Sequence, residues 1–115
     1  MRKQTAKNHF LGQVGCSKLN CGQSIIKAYH DKFAVSADAV ERFAAFAAGQ
    51  APQGECGAYY AARYLLSKAH PHKIAPLAAD FMKLAGSLKC KEIRRQHKLT
   101  CLGCVEKAAE LLERE

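Results

Sequence analysis

The sequence predicts an all-α protein, a single compact bundle of about five to six short helices. Three observations predict it. Of the 115 residues, 49% are hydrophobic, alanine is abundant and there is no Trp, a balance that suits close helix packing rather than a β-sandwich. Apolar residues recur at three- and four-residue steps through most of the chain. No Val/Ile/Thr-rich alternating run bounded by hairpin turns is present. A chain of this length can bury one core of its own, and no repeat, low-complexity segment or second domain interrupts it.

Residues 1–19 read as a basic, mobile N-terminal tail, with Phe10, Leu11 and Val14 docking on the body. Residues 20–115 form the helical, cysteine-bearing domain. Cys16 lies in the loop Gly15-Cys16-Ser17-Lys18 and reads as an incidental thiol. Asn20 caps the first helix of the body, and Gln23 completes the pattern of a capping box. Cys21 then stands at the first helical position, and Cys21, Ile25, Tyr29 and Phe33 form an apolar stripe. His30 is a metal ligand by type and a surface histidine by context. Ser36 is expected to cap a scaffold helix over Ala37–Ala48, with Val40, Phe43, Ala44 and Ala47 inward.

After the turn-rich stretch Gly49-Gln50-Ala51-Pro52-Gln53-Gly54, a helix is expected from Glu55 or Cys56 to about Ala69. Gly57 and Ala58 are small enough for another backbone, or a cofactor, to approach closely. Cys56, Tyr60 and Tyr64 align along one side, and Tyr59, Tyr60 and Tyr64 are core aromatics that could also tune a redox site by hydrogen bonds. His70-Pro71-His72 ends the helix. Ile74, Leu77, Ala78, Phe81, Leu84, Ala85 and Leu88 mark the cleanest amphipathic helix, with Pro76 in its first turn. Gly86-Ser87 ends it, and Ser87 is expected to cap a short helix that starts near Cys90. Thr100 caps the last helix, whose stripe is Cys101, Cys104, Val105, Ala108, Leu111 and Leu112.

Six cysteines therefore punctuate the chain, and Cys21, Cys56, Cys90 and Cys101 all fall at helix starts. Unpaired N–H groups and the positive helix end favour a thiolate there, or an anionic cluster held by thiolates. Cys101-Leu102-Gly103-Cys104 adds a Cys-x-x-Cys pair, suited to a redox dithiol or to two metal ligands. Val105 follows it instead of histidine, which excludes covalent haem attachment. The N-terminal residues contain no apolar signal core, and no run is long enough to span a membrane. A cytoplasmic setting, where thiols stay reduced, is the expectation. The net charge is +8, from 18 Lys and Arg against 10 Asp and Glu. Its densest patch is Lys89, Lys91, Arg94, Arg95, His97 and Lys98. The charge is spread along the chain and reads mainly as solvated helix faces, so an acidic partner protein fits it better than nucleic acid.

Cys21 after its cap, Cys56-Gly57-Ala58, the stretch Gly86-Ser87-Leu88-Lys89-Cys90-Lys91-Glu92-Ile93, and Cys101 followed by Val105 occur in one order. This pattern resembles the C-GCAxxG-C-C family, over about Asn20 to Glu113. The resemblance implies a small all-helical, redox-active protein with four shared cysteines, here Cys21, Cys56, Cys90 and Cys101, and iron–sulfur binding in some relatives. Cys16 and Cys104 lie outside the four. Where the family pattern has a second glycine this chain has Ala61, whose methyl is expected to narrow a cluster pocket.

The leading functional expectation is an electron-transfer protein, rather than a stand-alone enzyme. Cys21, Cys56, Cys90 and Cys101 would bind a 2Fe-2S or 4Fe-4S cluster with Gly57 close by. Two alternatives stand beside it. One is a thiol–disulfide relay on Cys101 and Cys104. The other is a structural zinc site with four thiolate ligands. The partner implied is a redox protein, acidic where it docks, and a homodimer sharing the cluster is compatible with the pattern.

Overall fold

The computed structural model describes residues 2–13, 16, 18–46 and 50–114. Val14, expected to dock, and the end of the helix expected over 37–48 lie outside them. Seven α-helices are found among the described residues and no strand: α1 (Arg2–Leu11), α2 (Cys21–Tyr29), α3 (Ala39–Arg42), α4 (Gly57–Ala69), α5 (Ile74–Ala85), α6 (Cys90–Gln96) and α7 (Cys101–Glu113). None is long and apolar enough to cross a membrane. The all-α expectation holds.

The core lies where α2, α4 and α7 meet. Ile25, Ile26, Leu65, Leu66, Val105 and Leu112 are fully buried there, and α5 adds Phe81. Burying each large side chain is worth about 1.5–3 kcal/mol, so these helices carry the fold. Tyr29 is enclosed with them, and its hydroxyl donates to Glu113 Oε1 at 2.8 Å. Of the three tyrosines of α4, Tyr59 is the buried one, tilted against Phe81, while Tyr60 and Tyr64 pack at the edge on Phe43.

Two expectations need correction. Arg2–Leu11 is a helix packed on α2 and α7, not a free tail. Ala6 is fully buried, Phe10 rests on the core and Leu11 is exposed. The helix has almost no apolar stripe; it is held by Arg2 on Asp31 at 2.6 Å, Lys3 on Glu110 at 3.1 Å and Lys7 on Glu106 at 3.1 Å. The scaffold helix is also shorter than expected. Only Ala39–Arg42 is α-helical and Phe43–Phe46 tightens into a 3-10 turn. Asn20 Nδ2 donates to the carbonyls of Phe43 and Ala44, and Gln23 Nε2 to that of Val40, so α2 takes the acceptors that would continue α3.

The termini of the long helices follow the sequence closely. Asn20 and Gln23 form a complete capping box, with Gln23 N donating to Asn20 Oδ1 at 2.7 Å and Asn20 N to Gln23 Oε1 at 3.1 Å. Thr100 Oγ1 accepts from Gly103 N at 2.9 Å. Gly86 closes α5 with φ +86°, a conformation only glycine adopts freely. Ser36 and Ser87 cap no helix; each accepts from the amide two residues on, in a local turn.

Candidate functional site

Residues 55 and 56 pair with the chain just before α6. Glu55 and Lys89 form an isolated antiparallel bridge, and Cys56 N donates to Leu88 O at 2.7 Å. The two turns of backbone set Cys56 beside Cys90 before any side chain is considered. Cys56 is therefore the residue preceding α4, its extended cap rather than a member of its first turn. Cys21, Cys90 and Cys101 are the first residues of α2, α6 and α7, as expected.

On the other side α2 and α4 cross through two glycines. A Cβ on Gly57 would lie 2.7 Å from Cys21 Sγ and 2.9 Å from Phe46 O, and one on Gly22 would lie 3.1 Å from Gly57 O. The expected close approach at Gly57 is thus real, and what approaches is the Cys21 thiol and two backbones. Ala61 is fully buried in the core and does not line the cavity, so its methyl does not narrow it.

All four helix-start cysteines open on one small cavity, and Cys104 opens on it too. Ile93, Leu99, Thr100 and Arg94 complete the wall. Its volume is about 20 Å³, room for about one water molecule. Among the described residues no three His, Cys, Asp or Glu side chains are already arranged to hold a metal ion. Cys16 does not line the cavity; His30, by contrast, bonds Val35 O through Nδ1 at 3.0 Å, in the turn after α2.

The backbone N–H groups do reach the sulfurs, from Gly22 and Ala58 to Cys21 and from Ala58 and Tyr59 to Cys56. They do not win. Burial pushes the Cys21 thiol up to about 12, and the neighbouring Cys56 and Cys101 push the same way. Cys56 is held well above its usual range by a hydrogen bond with Cys104 and by burial. Burial raises Cys90 as well, with Arg94 opposing. Burial and crowding thus favour the protonated thiol at Cys21, Cys56 and Cys90, against the expectation that helix ends alone would favour thiolates there. A metal ion held there would bring the missing positive charge and displace those protons.

One residue of the site escaped the sequence reading. Arg94 donates to Cys101 Sγ at 3.8 Å. Its signal was present: Cys90 and Arg94 are four apart on one helix and share a face. Cys104, read with Cys101 as the dithiol alternative, opens on the same cavity as Cys101 and Cys56. Glu55, buried beside Cys56, faces Arg63 Nη2 at 3.4 Å without a well-aligned hydrogen bond.

A family model described as "Putative redox-active protein (C_GCAxxG_C_C)" matches residues 19–115, which include every residue of the cavity wall. No curated protein and no solved structure matches the chain.

Proposed function

The chain belongs to the C_GCAxxG_C_C family of proteins described as redox-active, and on that premise we propose that it holds an iron–sulfur cluster and carries electrons. The observation that carries this reading is the convergence of Cys21, Cys56, Cys90 and Cys101, each from a different helix start, on one cavity. The donor set fits: four thiolates complete the coordination of a 2Fe-2S or 4Fe-4S cluster, and zinc is the other ion such a set would accept. The space, about 20 Å³, is too small for a cluster without movement of the side chains around it.

A bound cluster would supply one-electron chemistry at a potential set by its surroundings. The chain supplies those surroundings. Cys21, Cys56, Cys90 and Cys101 would be the ligands. The N–H groups of Gly22, Ala58 and Tyr59 aim at two of the sulfurs and offset negative charge. Arg94 adds a full positive charge beside Cys101. Ile93 and Leu99 keep bulk water off the sulfurs. A partner with an acidic surface would meet the exposed cations of α6 next to this cavity, and a reducing cytoplasmic setting would keep the thiols available.

The test is anaerobic loading with iron and sulfide. The expected protein is brown, contains iron and acid-labile sulfide, and has visible bands that bleach with dithionite. Stoichiometric zinc without sulfide, in protein purified anaerobically from cells, would replace this reading with a structural zinc site.

A further inference from the structure

A second cavity lies away from the cysteines. It opens between the loop after α2 and the C-terminal half of α4, with a volume of about 220 Å³, and its wall is Ala34, Val35, Ser36, Arg42, Tyr64 and Lys68. Arg42 ends α3, and Tyr64 and Lys68 stand four residues apart on α4, so they share a face. Both cations stand over the Tyr64 ring, Arg42 Cζ at 5.6 Å and Lys68 Nζ at 5.3 Å from its centroid. Among the described residues no carboxylate pairs with either of them. The nearby acids Asp38 and Glu41 are exposed and do not line the cavity. Two hydroxyls complete the wall. That of Tyr64 accepts from Arg42 Nη2 at 2.7 Å and that of Ser36 accepts from the Asp38 amide at 3.2 Å, so each keeps its own proton to donate.

We propose that this cavity is an oxyanion site for a small phosphate monoester. Its wall supplies two full positive charges, two O–H donors and no carboxylate. Like charges gathered around one ring are stabilised by an anion between them. A phosphate monoester carries about 1.5–2 negative charges at neutral pH and matches the pair, whereas a carboxylate would balance only one of them. The planar guanidinium suits two phosphate oxygens at once, and the ammonium and the hydroxyls suit the others. Size limits the rest of the ligand. The cavity is several times the share of about 30 Å³ that a water molecule takes, yet it is below the range of about 300–1,000 Å³ found for drug-sized ligands. The fit is to a phosphate that carries a short organic group. None of these residues lines the cysteine cavity, so the inference goes beyond the cluster reading and stands without it.

The experiment follows the backbone amides of the full, reduced chain by NMR at fixed ionic strength while inorganic phosphate, methyl phosphate or acetate is added. Both phosphates are expected to give saturable shifts at residues 34–36 and at Arg42, Tyr64 and Lys68, with methyl phosphate bound at least as tightly as inorganic phosphate. Acetate should bind about tenfold more weakly. Arg42→Gln should weaken methyl phosphate binding about tenfold, and Lys68→Gln and Tyr64→Phe about threefold each. Lys27→Gln, which removes an exposed cation of α2, should change nothing and so separates the site from the overall positive charge of the chain. If Arg42→Gln disturbs the fold, Lys68→Gln and Tyr64→Phe decide. Shifts that never saturate, acetate bound as tightly as methyl phosphate, methyl phosphate excluded where inorganic phosphate binds, or binding untouched by Lys68→Gln and Tyr64→Phe would each overturn the proposal.

Discussion

The two walls of the cysteine cavity are built by different physics. The wall from α2 and α4 is locked: Gly22 and Gly57 let the two backbones touch, and the Cys21 thiol presses on Gly57. The wall from α6 and the first turn of α7 is looser, with Cys101, Leu102 and Gly103 only half-buried. α6 runs only from Cys90 to Gln96, its one buried residue is Ile93, and Lys91, Arg94 and Arg95 are exposed. Both walls offer two proposed ligands, but only the second can give way to a guest larger than a water molecule. A site of this kind joins a fixed jaw to a yielding one, and the difference was set by where glycine stands.

The sharpest way to break the comparison is to remove the sulfurs one at a time. Serine at Cys21, Cys56, Cys90 or Cys101 is expected to bring iron per chain close to zero. Cys16→Ser and Cys104→Ala should leave it near the wild-type value. Iron and sulfide assays on anaerobically loaded variants decide; a full site in Cys21→Ser would remove the fixed jaw from the ligand set.

The next effect is mechanical. Gly57→Ala puts a methyl 2.7 Å from Cys21 Sγ and 2.9 Å from a carbonyl oxygen, and is expected to cost about 1–3 kcal/mol by overpacking. Gly103→Ala on the yielding wall meets only the side chains of Leu99 and Thr100 at 3.3 Å. It also gains about 1 kcal/mol of helix propensity, so its net effect should be small. Urea unfolding of the metal-free proteins tests the contrast, and equal losses at the two glycines would erase it.

A smaller effect comes from protonation. Cys21, Cys56 and Cys90 all titrate higher in the fold than in the unfolded chain, Cys21 at about 12. The stability this confers is fully present below the ordinary thiol range and is lost as pH rises from there toward the folded values. Metal-free protein should therefore weaken steadily above about pH 8.5, and Cys21→Ala should flatten that slope. Unfolding midpoints between neutral and alkaline pH report it; a slope untouched by Cys21→Ala would mean that other groups carry it.

The smallest effect is at Arg94, an exposed cation whose pairing is worth about 0.2–1 kcal/mol. Arg94→Gln should slow alkylation of Cys101 by no more than about fivefold, the upper end of that range. Cys21 should respond less, since Arg94 bonds Cys101 directly and lies only within charge range of Cys21. Alkylation rates followed by mass spectrometry separate the two thiols.

What could be read from the sequence was whatever is decided within a few residues. The caps at Asn20 and Thr100, the break at Gly86 and the inward stripe of α7 depend on neighbours, and each appears as expected. What could not be read depends on distant partners. α1 looked like a tail because its hold comes from distant carboxylates, Asp31 in the turn after α2 and Glu106 and Glu110 on α7. α3 gives way to a 3-10 turn where Gln23 and Asn20 reach the carbonyls of Val40 and Phe43. The gathering of Cys56 with Cys90 rests on a pairing of one or two residues, too brief for any periodic signal.

That brief pairing also sets an order of events. Glu55 and Lys89 stand at the two mouths of a long loop that contains α4 and α5, and closing such a loop costs entropy that the bridge alone cannot repay. The packing of Tyr59 on Phe81 inside the loop is expected to come first. Cys90 is then expected to reach Cys56 after the hairpin of helices has docked, as a late step in folding. A half-folded chain would offer stray metal ions no finished cage, and during refolding Cys90 should gain protection from alkylation no earlier than the amides of α4 gain protection from exchange.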